Sequence, residues 1–125
     1  MNLFQSVRNT TSLGQSVEKQ AARYLRQKGL AIVRQNYRCK GGEIDIIARE
    51  KETLVFVEVR HRKSNRFGTP AETVTHRKQQ RIILAARNYL LTLKNQPACR
   101  FDVIESWPEQ STNVNFNWIK DAFGC

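Results

Sequence analysis

GGEIDIIAREKETLVFVEVRHR, residues 41–62, decides the architecture. Two apolar runs, Glu43–Arg49 and Thr53–Arg62, flank the polar pair Lys51-Glu52. Their density of Ile, Val and Phe suits a pleated surface, so the stretch reads as two strands joined by a turn. Three acids interrupt it: Glu43, Asp45 and Glu58. Strands ordinarily avoid aspartate, and a charge between Val57 and Val59 is costly to bury without a partner.

Alternation along a strand gives Glu43 and Asp45 one face, and likewise Glu58 and Arg60. Register decides whether these pairs meet. If Lys51 and Glu52 form a two-residue turn, Asp45 lies opposite Glu58 and Glu43 opposite Arg60, with Cβ atoms about 5 Å apart. A four-residue loop preserves that facing, whereas a three-residue loop sends Glu58 to the other side. Lys-Glu is a poor pair for a primed turn, so turn chemistry does not choose between them. Two carboxylates this close repel unless a cation lies between them. Hard oxygen donors suit magnesium or manganese, which would keep several waters and accept a phosphate oxygen. In the competing arrangement Glu43 and Glu58 make cross-strand ion pairs with Arg60, Arg62 or Lys40.

Outward from this hairpin, residues 1–12 read as a loose arm and residues 13–125 as one domain. Val17, Ala21, Tyr24 and Leu25 recur at helical spacing and predict a helix from Leu13 to Lys28, stopped by Gly29. Leu30-Ala31-Ile32-Val33 opens a first strand. Ile82, Ile83, Ala85, Ala86, Tyr89, Leu90 and Leu93 mark a second helix over Thr75–Lys94. Arg100–Glu105 reads as a fourth strand, and Val114, Phe116, Trp118 and Ile119 belong to a tail of strand or helix. The expected fold is α/β, a mixed central sheet flanked by helices, with the second helix crossing over between parallel strands.

Among 125 residues, 40% are hydrophobic, enough for a core and too many for a disordered chain. No apolar run has the length of a membrane helix, and the N-terminus does not resemble a signal peptide. Cys39, Cys99 and Cys125 show no metal-ligand spacing and suit a reducing compartment, so cytoplasmic placement is expected. Twenty-one Lys and Arg against eleven Asp and Glu give a net charge of +10. Such an excess favours polyanions, without separating DNA from RNA, ribosome or acidic lipid. His76, Arg77, Lys78 and Arg81 crowd the start of the second helix, where the helix dipole disfavours positive charge.

The ordered strings GGEIDIIARE, LVFVEVRHRKSNRFGTPAETV, HRKQQRI, RFDVI and WIKDAF resemble the YraN family of bacterial proteins over residues 13–123. That family is similar to the restriction-endonuclease-like, PD-(D/E)XK superfamily and to Holliday-junction resolvases. The resemblance implies an αβββαβ core, with Asp45 as the PD aspartate and Glu58 as the (D/E)XK acid. It also implies Glu18 as the acid that a first helix often contributes. Glu43, which shares a strand face with Asp45, is a further candidate to assist the metal. The implied activity is magnesium- or manganese-dependent endonucleolytic cleavage of DNA, and related resolvases suggest a homodimer. A departure stands at the lysine position, which is Arg60. Lysine can lose a proton and help activate water, whereas arginine effectively cannot. Arg60 can still hold phosphate and stabilise transition-state charge. The alternative to an enzyme is therefore a nucleic-acid-binding module with a degenerate nuclease site, serving repair or recombination.

Arg62, Lys63 and Arg66, in the basic segment that follows the ExR strand, are candidates for tracking phosphate, and Phe67 for stacking on a base. Lys78 and Gln80 are further nucleic-acid-binding candidates at the start of the second helix. His61 should face away from Glu58, and Asp102 is expected to pair with a nearby arginine.

Overall fold

The computed structural model describes residues 17–62, 74–108 and 114–124. Strands β2 (Gly42–Glu50) and β3 (Thr53–His61) form the central antiparallel hairpin. Glu50 pairs with Thr53, Ile47 with Phe56 and Ile46 with Val57, so Lys51 and Glu52 make the two-residue turn. Lys51 adopts φ 55, the positive value that a primed turn needs at its first central position. The ladder ends at Ile46–Val57, one rung short of Asp45 and Glu58.

Strand β1 (Ala31–Cys39) joins the outer edge of β2, and β4 (Cys99–Pro108) and β5 (Val114–Phe123) extend the sheet beyond β3. The spatial order is β1-β2-β3-β4-β5. Among the described residues only β3 and β4 pair in parallel, and the helix α2 (His76–Leu90) lies between them in the chain. With helix α1 at residues 17–27, the order is that of a restriction-endonuclease-like αβββαβ core carrying a fifth strand.

Alternation along β3 builds two apolar layers. Val55 and Val57 pack with Ala21, Ala22 and Leu25 of α1, together with Ile46, Ala48 and Ile104. Leu54 and Phe56 pack with Ile82, Ile83, Ala85 and Ala86 of α2, together with Ile47 and Phe101. Each fully buried aliphatic or aromatic side chain contributes about 1.5–3 kcal/mol. By the same alternation Glu58 falls on the α2 side.

Helix α2 docks closely because β2 begins with glycine. A Cβ on Gly42 would lie 2.4 Å from the carbonyl oxygen of Arg81. At its start, Thr75 caps the helix by accepting from the Lys78 N–H at 3.1 Å. Its end corrects the expectation of a helix to Lys94. The helix stops at Leu90, where Gln96 Nε2 donates to the Leu90 carbonyl and Thr92 Oγ1 to the Tyr89 carbonyl. The first strand is longer than the apolar run that marked it, because its outer half is a polar edge strand. The open tail resolves as strand β5. Residues 1–12 and the first turn expected of α1 lie outside the described residues.

Candidate metal centre

Asp45 stands where the sheet parts. Between the pairs Gln35–Ile46 and Tyr37–Ile44, neither Asn36 nor Asp45 is paired, and Asn36 takes φ 55. On the other side the β2–β3 ladder has already ended. The carboxylate replaces a missing rung: the Val59 N–H donates to Asp45 Oδ2 at 2.8 Å. Asparagine tolerates the left-handed conformation, so this local break is inexpensive.

Three acids meet here from three elements. Glu58 of β3 is 4% exposed and hydrogen-bonds Asp45. Burial, then Asp45, push its carboxyl up to about 9, against a partial pull downward from Lys78. Glu18 of α1 also hydrogen-bonds Asp45, and burial with that neighbour raises it to about 7, while a hydrogen bond from Asn36 opposes the shift. The facing of Asp45 and Glu58 expected from a two-residue turn is thus present. Glu43 lies farther out, paired across β1 and β2 with Arg38 at 3.7 Å rather than with Arg60.

A cation reaches this group from α2. Lys78 Nζ is 3.5 Å from Glu58 Oε2 and 3.6 Å from Glu43 Oε1. These are ion-pair distances rather than good hydrogen bonds, and Glu58 Oε2 is left buried with no hydrogen-bond partner.

Divalent metal fits this donor set in one specific way. Among the described residues no three His, Cys, Asp or Glu side chains are arranged as a ready cage. Asp45 and Glu58 offer hard oxygens on a shared rim, and the orphaned Glu58 oxygen lacks a donor. Magnesium and manganese sites of the phosphate-handling kind use one or two carboxylates and fill the remaining positions with water and substrate oxygen. The residues match that pattern and not an all-protein calcium cage.

Asp102 shows what a purely structural carboxylate looks like in the same fold. It is 0% exposed and accepts from Arg100 Nε at 3.0 Å, Trp118 Nε1 at 2.9 Å and the Asp121 N–H at 2.8 Å. The last bond repairs the irregularity where β5 shifts register against β4. Its lone pairs are taken. Arg100 also holds Glu50 at 2.7 Å, which lowers the Glu50 carboxyl.

A profile of the Uncharacterised protein family UPF0102 matches residues 17–105, and that span includes Glu18, Asp45, Glu58 and Lys78. This chain belongs to that family. The UPF0102 family is the YraN family that the ordered motifs resemble, of the restriction-endonuclease-like kind. A UPF0102 protein of Hahella chejuensis is 52% identical over 124 residues, 98% of each chain. One from Psychromonas ingrahamii is 43% identical over 123 residues, again 98% of each. A third, from Herminiimonas arsenicoxydans, is 47% identical over 110 residues, covering 88% of this chain and 85% of its own.

The other candidates are dispersed. Arg60 is half-buried on β3, opposite Glu105 in the parallel register. Arg62 is held by Glu105 at 2.9 Å. Gln80 is exposed on α2, and Lys63, Arg66 and Phe67 lie outside the described residues. His61 points away, with Nδ1 at 3.0 Å from Ser106 Oγ. Asn36, which supports Glu18, was missed by sequence reasoning. Its signal was an asparagine inside a strand, a position that residue type usually avoids. No helix among the described residues is long and apolar enough to cross a membrane.

Proposed function

We propose that this UPF0102 chain is a magnesium- or manganese-dependent phosphodiesterase acting on nucleic acid, DNA in the first instance. One observation carries the reading: Asp45 and Glu58 converge where the sheet opens, and Glu58 Oε2 is buried without a hydrogen-bond partner. Asp45 and Glu58 would hold the cation, with Glu18 and Glu43 supporting its charge. Four acids crowd one rim, and two of them retain protons well above the ordinary carboxylate range. A divalent cation resolves that crowding. When bound it supplies polarisation of the phosphate and a more acidic water.

The chain's own groups would do the rest. The Val59 N–H fixes the direction of Asp45. Arg60, on the Glu58 face, would take phosphate charge. The net charge of +10 would draw the polyanion in. DNA rather than RNA, cytoplasmic placement and a role in repair or recombination rest on the sequence resemblance. Cutting both strands of a junction would call for two such centres, hence a pair of chains.

The test is cleavage of linear, nicked and four-way DNA with magnesium or manganese, beside Asp45→Asn. The expected outcome is metal-dependent cutting by the wild type alone. Absence of cutting on every substrate overturns the reading. Arg60 at the lysine position favours a second one, a binding module without turnover. Tight, salt-sensitive DNA binding in a protein with no manganese site would select it.

A further inference from the structure

The hairpin brings arginine, not lysine, to the strand position beside Glu58, yet a lysine reaches that carboxylate from elsewhere. Lys78 Nζ stands 3.5 Å from Glu58 Oε2 and 3.6 Å from Glu43 Oε1. Among the described residues it is the ion-pair partner of Glu58, and Arg60 makes no ion pair with Glu43, Asp45 or Glu58.

We propose that Lys78, delivered by α2, is the phosphate-binding lysine of this centre, in the role that the strand pattern would give to Arg60. The inference rests on the phosphodiesterase reading and adds a catalytic group to it.

Placement and chemistry both support it. Lys78 sits in the first turn of a helix whose height is set by two contacts. Thr75 caps the Lys78 N–H, and Gly42 lets the Arg81 turn, three residues on, press against β2. Lysine is a compact charge with three donors. Lys78 stands at ion-pair distance from Glu43 and Glu58, and its side chain remains 29% exposed. Carboxylate oxygens engaged by a cation would release its donors toward a phosphate oxygen in the same cleft. The ammonium is already in the cleft when negative charge develops, so only its donors have to turn. Arg60 lies two residues along the strand from Glu58, about 7 Å of rise, and its bulkier fork suits a neighbouring phosphate.

The experiment uses the full chain as wild type, Lys78→Met, Lys78→Arg, Lys78→Gln and Arg60→Met. It measures manganese affinity by calorimetry with the metal alone, thermal melting, and kcat and KM on the best-cut DNA. Lys78→Met should lose about 100-fold or more in kcat, melt like the wild type, and bind manganese equally or more tightly because a competing charge is gone. Lys78→Arg should regain part of the rate, and Arg60→Met should lose less than Lys78→Met. Should Lys78→Met fail to fold, Lys78→Gln carries the same expectation. Turnover by the neutral variant close to wild type overturns the inference, as does a rate loss matched by lost manganese affinity. A wild type that neither binds manganese nor cuts DNA fails one level lower: the phosphodiesterase reading falls and takes the inference with it.

Discussion

Asp45 Oδ2 receives the backbone N–H of Val59 at 2.8 Å, so a side chain closes the hairpin at the level where its ladder has stopped. The two duties of this carboxylate are separable. Asp45→Asn keeps an acceptor for Val59 and should stay folded, with cleavage abolished and manganese affinity reduced. Asp45→Ala removes the acceptor as well and should cost about 1–3 kcal/mol more. Urea denaturation beside calorimetry distinguishes the two. Equal stability of both variants would show that the Val59 bond carries no weight.

Stability of the metal-free protein should fall as pH rises. Glu58 titrates near 4.5 when unfolded and is held to about 9 when folded, and Glu18 to about 7. Below about pH 4.5 both states are protonated at these groups and the penalty is absent. Above it the unfolded chain ionises first, and stability is lost progressively until the folded values are passed. The urea midpoint of chelator-treated wild type should therefore drop between about pH 5 and pH 9, and that of Glu58→Gln should drop less. Identical profiles would argue against the crowded acids.

Asp102 should behave as a structural residue. Asp102→Asn strips the charge from a buried pair and misaligns acceptors for Arg100, Trp118 and the Asp121 N–H. Breaking such a pair costs about 3–5 kcal/mol. Chemical denaturation should show that loss, while manganese affinity of the folded fraction stays at the wild-type level.

Gly42→Ala should damage the centre from a distance. The added methyl meets the Arg81 carbonyl at 2.4 Å and the Ala85 Cβ at 3.1 Å, so α2 must back away. Overpacking of this kind costs about 1–3 kcal/mol. Because Lys78 rides on the same helix, the rate of cleavage should fall by more than the loss of folded protein explains. Melting curves and specific activity measured together check this.

The central hairpin was legible because its side chains obey a period of two, and because only loops of two or four residues bring Asp45 and Glu58 to one face. The register of β1 was not. Val33 sits at a bulge and Asn36 at positive φ, and both depend on pairing with β2 rather than on local preference. The pairing of Asp102 with an arginine could be anticipated, but its repair of the β4–β5 irregularity requires Trp118 and Asp121, brought together only by tertiary pairing. Lys78 was visible as one basic residue among four at a helix start. Which of the four points at Glu58 is set by the rotation of α2, and that rotation comes from Gly42 and the packing of Ile82, Ile83, Ala85 and Ala86.

The helices lie on opposite sides of the sheet, and each lends one charged group to the same rim, Glu18 from one side and Lys78 from the other. A growing or partly folded chain could form the hairpin and still hold only Asp45 and Glu58 in place. The full charge pattern exists only after both layers have closed. On the proposed phosphodiesterase reading, competence is thereby tied to completed folding.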